Sequence, residues 1–275
     1  MAYKDILVQV DEATRPGQCE IAVELAARSG GRVTGLYLKT YLTAELAGAA
    51  AAGAPPPVDL GQRIRERLQR ENENAAAAEA VLNRIALASK VDFSWRIVDG
   101  DTPRDMIIEA RHTDLVVVGP WSAARDGHAF AVDIVVGAGV PVLVVPSEVD
   151  RPQVGARVLV AWNGSRESSC ALRNALPILT RDAVLEIRTA QYKHDRTDAA
   201  ALRSYLERHA CRMDFRAVDD EGQSIPRWLI NEAIQAECDL IVMGVYGHTR
   251  QRDFVLSEVS RNMLQNSPLP LLISY

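Results

Sequence analysis

The chain has 275 residues, of which 48% are hydrophobic and 24% charged, with a formal net charge of −5. This length suits two domains of ordinary size, each with enough chain to bury a core. The acidic balance argues against general nucleic-acid binding, which rests on Lys and Arg neutralising phosphates, and no apolar run approaches the ~20 residues that span a bilayer.

Ile6-Leu-Val-Gln-Val10 predicts a first strand ending at the polar Asp11. Its apolar residues lack an alternating period, as in strands buried on both faces of a parallel sheet. A helix and a second strand follow, and Gly48–Pro57, rich in Ala, Gly and Pro, reads as a loop. Beyond it, Ile64, Leu68, Ala75, Ala78, Leu82 and Ile85 fall at helical spacing and predict one long amphipathic helix, with Ala75–Ala80 as a packing face. Asp114-Leu-Val-Val-Val-Gly119 and Pro141-Val-Leu-Val-Val145 predict the last two strands of this half, and a linker is expected around Pro146–Gly155.

The same landmarks then return in the same order. Val158-Leu-Val-Ala-Trp-Asn163 answers Ile6–Asp11, Asp239-Leu-Ile-Val-Met-Gly244 answers Asp114–Gly119, and Pro270-Leu-Leu-Ile-Ser274 answers Pro141–Val145. Three matches in one order mark a duplication. In the second copy, strands are expected near 156–162, 183–190, 212–219, 239–243 and 270–274, with Ser165 and Ser224 as helix N-caps and Pro226 in a first turn. Strands alternating with helices imply βαβ units and a parallel sheet. The fold class is therefore α/β, with two tandem parallel-sheet domains over 1–148 and 156–275.

In open parallel sheets, ligands bind beyond the carboxyl ends of the strands, where the strand order switches. That rule selects Asn163-Gly-Ser-Arg166 and Gly244-Val-Tyr-Gly247-His248-Thr-Arg250 in the second copy. Glycines there let backbone N–H groups approach a phosphate, and a helix N-terminus favours an anion. A tight strand-to-helix turn explains the same glycines equally well. Asp11 is either a ribose- or base-orienting acid or a helix cap, and Tyr246, His248 and Arg250 are either ligand contacts or a solvated loop. Arg252 and Arg261 read as surface charges.

The segment Leu240–Arg250, with Val255-Leu-Ser-Glu-Val-Ser260 and Pro268–Ser274, resembles the end of a universal stress protein domain. The opening of each copy and the Asp-Leu-(Val/Ile)-Val-x-Gly strand resemble that family too, so the likeness extends over both copies. The resemblance implies a Rossmann-like, five-stranded parallel sheet between helices in each copy. It also implies antiparallel pairing of the last strands, Val142–Val145 with Leu271–Ser274, which would make the chain a pseudo-dimer of itself. Some family members bind ATP and others do not. In binders, Gly-x-x-Gly is followed after nine residues by Gly-Ser or Gly-Thr, whose hydroxyl meets a phosphate. Here Gly244 and Gly247 are kept, but Ser257-Glu258 stands where that pair would be, and Asn163 replaces the acid that contacts the nucleoside. Glu258 would repel a polyphosphate unless a metal bridged them, and Ser257 adds a Cβ where close backbone approach matters. The first copy has the converse pattern: Asp11 keeps the acid, but Gly119 is followed by Pro-Trp-Ser122 with no second glycine. Its stretch to Pro141 is also four residues shorter than that from Gly244 to Pro270.

The expectation is a cytoplasmic stress-response protein of binding or regulatory type, with ATP or AMP as the nucleotides to consider. Its ligand site would be Asn163, Gly244, Gly247, His248, Ser257 and Glu258, with Asp11 and Gly119 as first-copy counterparts. A nucleoside or nucleoside monophosphate suits the altered cradle better than ATP. A weak magnesium-dependent ATPase at that site and a ligand-free scaffold acting on protein partners are the alternatives, and a further homodimer of the pseudo-dimer stays open. No catalytic residue and no metal are assigned. His209-Ala-Cys211 with Cys238 lacks metal-motif spacing, Ser165, Asp195 and His248 lack the strand-turn-helix setting of a nucleophile, and there is no GxxxxGK[ST] loop. The cysteines, Cys19 and Cys170 among them, are scattered, and Met1–Ile6 carries no apolar leader. Both observations suit a reducing cytoplasm.

Overall fold

The computed structural model describes residues 2–11, 16–39, 59–99, 103–119, 127–149, 152–191, 199–209, 211–219, 224–245 and 257–275. The stretch 48–57 and the predicted site residues Gly247 and His248 lie outside them. The first half runs β1 (Asp5–Val10), α1 (Pro16–Ser29), β2 (Arg32–Lys39), α2 (Leu60–Ala88), β3 (Asp92–Asp99), α3 (Pro103–Ala110), β4 (Leu115–Val118), α4 (Gly127–Ala138) and β5 (Val142–Val144). The second half runs β6 (Arg157–Ala161), α5 (Arg166–Ala175), β7 (Val184–Gln191), α6 (Ala199–Glu207), β8 (Arg212–Asp219), α7 (Ile225–Gln235), β9 (Leu240–Gly244), α8 (Glu258–Asn266) and β10 (Leu271–Ser274).

All ten strands form one sheet in the order β3-β2-β1-β4-β5-β10-β9-β6-β7-β8. Within each half the neighbours are parallel, and the halves join through the antiparallel pair β5–β10, with Leu271 opposite Val144 and Ile273 opposite Val142. This is the pairing that the family resemblance implied. Pro141 and Pro270 precede these two strands, where a missing N–H costs the ladder nothing.

The buried apolar side chains form two clusters, one on each face of the sheet, and each draws on both halves. One unites Ile6, Val23 and Leu82 with Val158, Leu172 and Leu206. The other unites Leu36, Met106 and Ile134 with Leu229, Ile241 and Met263. The two repeats therefore share their cores instead of closing one each. The reason is the β5–β10 junction, which continues both sheet faces across the boundary.

The Asp that opens the fourth strand of each half ties the entrance of the sheet. Asp114 accepts from Lys4 N (2.7 Å) and Asp5 N (3.0 Å), and Asp239 accepts from Gly155 N (2.7 Å), Ala156 N (2.8 Å) and Arg157 N (3.1 Å). The second set pins the end of the linker, where Val154 is buried. Arg28 of α1 also donates to Val154 O at 3.0 Å.

The long helix α2 differs from expectation in its first turns. Ala75 and Leu82 are buried and Ala78 and Ile85 pack on the core as predicted, but Leu68 is 38% exposed. Glu71 is buried there instead, accepting from Tyr37 Oη at 3.0 Å and pairing with Arg67 at 2.7 Å. Among the described residues the buried face of α2 begins at Glu71 and Ala75, so Leu68 lies beyond it. Ser224 occupies the N-cap position of α7 with extended backbone and Pro226 follows in the first turn, but the serine side chain makes no capping bond.

Candidate switch-point site

In the second half, β6 and β9 are parallel neighbours with Ala161 beside Met243. Successive strands run outward from β6 on one side through β7 and on the other through β9, so the crevice beyond their carboxyl ends is the topological switch point. Asn163 and Gly244 leave the sheet there together. The side chain of Asn163 accepts from Ser165 N at 3.1 Å, closing an Asx turn. Gly164 holds φ +73, a backbone state that favours glycine. Ser165 then caps α5, its Oγ accepting from Ser168 N at 3.1 Å. One short stretch thus turns the chain from strand to helix and sets the positive end of α5 at the switch point.

Gly244 has a packing reason for being glycine. A Cβ there would stand 2.5 Å from the Glu167 carbonyl carbon and 2.7 Å from Ser168 N, so the end of β9 abuts the first turn of α5. Ser257 is the N-cap of α8, its Oγ accepting from Ser260 N at 3.0 Å and lying 2.9 Å from Ser260 Oγ. Glu258 follows as the first residue of that helix and is exposed, where a carboxylate complements the helix dipole.

In the first half, too, the end of the fourth strand meets the first helix, through other side chains. Gly119 lies against α1 through the amide of Gln18, whose Oε1 would be 2.7 Å from an added Cβ. Gln18 is 3% exposed and donates to Gln9 O at 2.6 Å, and Gln9 Nε2 reaches Asp11 Oδ2 at 3.4 Å. Sequence reasoning missed Gln18; the available signal was a polar residue on the otherwise apolar face of its helix.

A second omission lies just below the second-half crevice. Trp162 N donates to Arg188 O at 2.8 Å, and Arg188 is a buried guanidinium, 2% exposed in its side chain. It meets Glu232 at 2.6 Å, Glu186 at 2.8 Å and Asp214 at 3.1 Å. Burial lowers its pKa, but the hydrogen bonds and the charges of Glu232 and Glu186 together raise it more, so it stays charged. Glu186 and Arg188 interrupt an apolar strand in the sequence, which was the signal for this network.

The cysteine and histidine grouping is taken apart by the sheet. Cys211 belongs to one core cluster and Cys238 to the other, on opposite faces. His209 instead packs its ring on Tyr205 at 4.8 Å. Burial, with Glu186 and Asp239 nearby, pushes the Cys238 thiol up to about 12. Among the described residues no group of acidic, His and Cys side chains is placed to hold a metal, all four cysteines are free thiols, and no helix is long and apolar enough to cross a membrane. Ser165 spends its hydroxyl on a helix cap, and Asp195 and His248 lie outside the described residues.

These features define a duplicated, doubly wound α/β protein with a topological switch point in each half. Residues 156–274 match the model of the universal stress protein family. The fold of the whole chain is similar to that of a universal stress protein from Archaeoglobus fulgidus, at a TM-score of 0.75 and 14% identity, covering 98% of this chain and 95% of that one. It is also similar to a functionally unknown protein from Pseudomonas aeruginosa, at 0.57 and 13%, over 99% and 92%. A shorter universal stress protein from Archaeoglobus fulgidus, in complex with dAMP, aligns with 52% of this chain and 98% of its own at 17% identity and a TM-score of 0.35. Among curated proteins none matches the chain.

Proposed function

We propose that the second half binds a nucleoside or a nucleoside monophosphate and that the protein works by binding, not by turnover. The observation that carries this reading is the start of α8. The Ser257 hydroxyl is committed to Ser260 N, and the next side chain is the Glu258 carboxylate. At the position where a triphosphate cradle would offer a donor, this chain presents negative charge. A carboxylate about 4 Å from a phosphate is disfavoured by about 4 kcal/mol at an effective dielectric of 20. The residues present do not fit a triphosphate, so no phosphoryl-transfer step is assigned to them.

The other end of the crevice suits a smaller ligand. The Asx turn at Asn163 and the capped N-terminus of α5 place backbone N–H groups beside the end of β9. Arg166, the first residue of that helix, lies over the Tyr275 ring at 5.4 Å and is largely exposed. One anionic group at this position meets a helix dipole and a guanidinium together. Gly247 and His248 stay part of the proposed site as the continuation of the β9 loop.

Equilibrium dialysis of the full chain against radiolabelled ATP, AMP and adenosine, with and without magnesium, tests the proposal. AMP or adenosine should be retained, ATP at least tenfold less well, and magnesium should change neither. Tight magnesium-dependent ATP binding would overturn the proposal. Replacing Ser257-Glu258 by Gly-Ser should recover ATP affinity by tenfold or more; no recovery would mean that these residues are not what excludes it.

A further inference from the structure

Among the described residues the sheet ends at β3 on one side and β8 on the other. Two bonds fix which backbone groups of β8 face outward. Arg212 N donates inward to Ala183 O at 3.1 Å, whereas Met213 O is reached from outside the sheet by Arg203 Nη1 at 3.4 Å. Strand groups alternate in direction, so Phe215 and Ala217 point outward with Met213, and Arg212, Asp214 and Arg216 point toward β7. The helix α7 packs chiefly over β6 and β7 and meets β8 through Glu232, which lies 3.6 Å from Arg216. Asp214 and Arg216 are 50% and 63% exposed in their side chains.

We infer that β8 is a docking edge for a second copy of this chain, paired antiparallel about a two-fold axis at Phe215. Placing two β8 strands this way sets Phe215 opposite Phe215 and Met213 opposite Ala217, all outward-pointing, so each pair exchanges backbone hydrogen bonds. The same register sets Asp214 of one copy opposite Arg216 of the other, twice, in the closer non-hydrogen-bonded pairs where opposite charges attract. No other register that hydrogen-bonds two outward-pointing residues symmetrically gives both charges an opposite partner. The edge also lacks Pro, Gly and Lys, the residues that commonly prevent strand addition. The opposite edge behaves differently. A two-fold axis at Trp95 would set Ser94 opposite Arg96, with no attraction between them. Because the contact is isologous it closes after two copies.

Sedimentation equilibrium of the full chain at about 100 µM, well above a micromolar dissociation constant, tests the inference. The wild type should be dimeric. Ala217→Pro, which removes an exposed, outward N–H used twice in the contact, should weaken association at least tenfold. Ile97→Pro on the β3 edge should leave the dimer intact. Arg216→Glu, which alters charge without touching the backbone, should also weaken association at least tenfold and decides the matter should Ala217→Pro fail to fold. A monomeric wild type, or a dimer unchanged in Arg216→Glu, overturns the inference.

Discussion

The two halves solve one packing problem in two ways. At the second strand of the first half, Thr34 shares a hydrogen bond with Ser94 at 2.8 Å and Leu36 is fully buried. Leu7 lies beside Thr34 in one half, as Leu159 lies beside Glu186 in the other. By this register Thr34, Leu36 and Ser94 correspond to Glu186, Arg188 and Asp214. A neutral pair and a leucine have been replaced by a buried guanidinium held among carboxylates, on the same backbone. The outer ion pair is common to both: Arg96 with Glu109 in one half, Arg216 with Glu232 at 3.6 Å in the other. The difference teaches that the fold requires only that this volume be filled and its polar atoms satisfied. Complementarity among these residues, not their polarity as such, is what the backbone demands.

The sharpest way to break this comparison is to remove one member of the charged set. Arg188→Ala should lower stability by about 3–5 kcal/mol in chemical denaturation, because Glu186 would keep a buried charge with much of its compensation gone. The triple exchange Glu186→Thr, Arg188→Leu, Asp214→Ser imports the first half's solution. It should be close to neutral, or stabilising by about 1 kcal/mol or more. A triple variant as damaged as Arg188→Ala would show that the halves are not interchangeable here.

The strand-ending glycines offer a second comparison of smaller size. Gly244→Ala forces a Cβ against the backbone of α5, whereas Gly119→Ala meets only the amide of Gln18. Gly244→Ala should cost about 1–3 kcal/mol and Gly119→Ala less than about 1.5 kcal/mol, read as a difference in denaturation midpoint. Equal effects would mean that α5 yields as readily as a side chain.

The smallest expected effect concerns Glu24, which lies near the junction of the halves. Burial raises its pKa above the ordinary 4.5, Arg28 opposes the shift and Asp239 adds to it. Its Oε2 is buried without a hydrogen-bond partner, while Oε1 pairs with Arg28 at 2.9 Å. A carboxyl whose folded pKa exceeds its unfolded value contributes fully at pH below the unfolded value, and the contribution is lost as pH rises through the folded one. Glu24→Gln should therefore flatten the stability profile above pH 4.5 and gain less than about 1 kcal/mol at neutral pH. A steeper profile in the variant would contradict this assignment.

Much of the candidate site was legible one residue at a time. Ser165 has the residue type and place of an N-cap and is one, and Asn163 and Gly244 stand at strand ends as the apolar runs foretold. What the residues do there was less legible. Gly244 reads in sequence as part of a phosphate loop, but its neighbour is the backbone of α5, a partner distant along the chain. Asp114 and Asp239 read as landmarks of a repeat, and only the folded sheet shows them gathering the N–H groups of the first strands. Leu68 fitted the helical stripe, but periodicity is a property of the helix alone and does not say where its buried face begins.

The sequence by itself determined the duplication, the order of strands and helices, and the antiparallel joining of the two copies through the family it resembles. The first two follow from local patterns, because apolar runs, caps and landmark motifs each depend on residues near one another along the chain, whereas the antiparallel joining is what the resemblance implied. The tertiary structure alone decided that both copies share two cores, that Cys211 and Cys238 lie on opposite faces, and that Arg188 sits buried among acids from three elements. Those outcomes depend on which surfaces meet across a ten-stranded sheet, and contact between distant segments is fixed by packing and burial, not by local pattern.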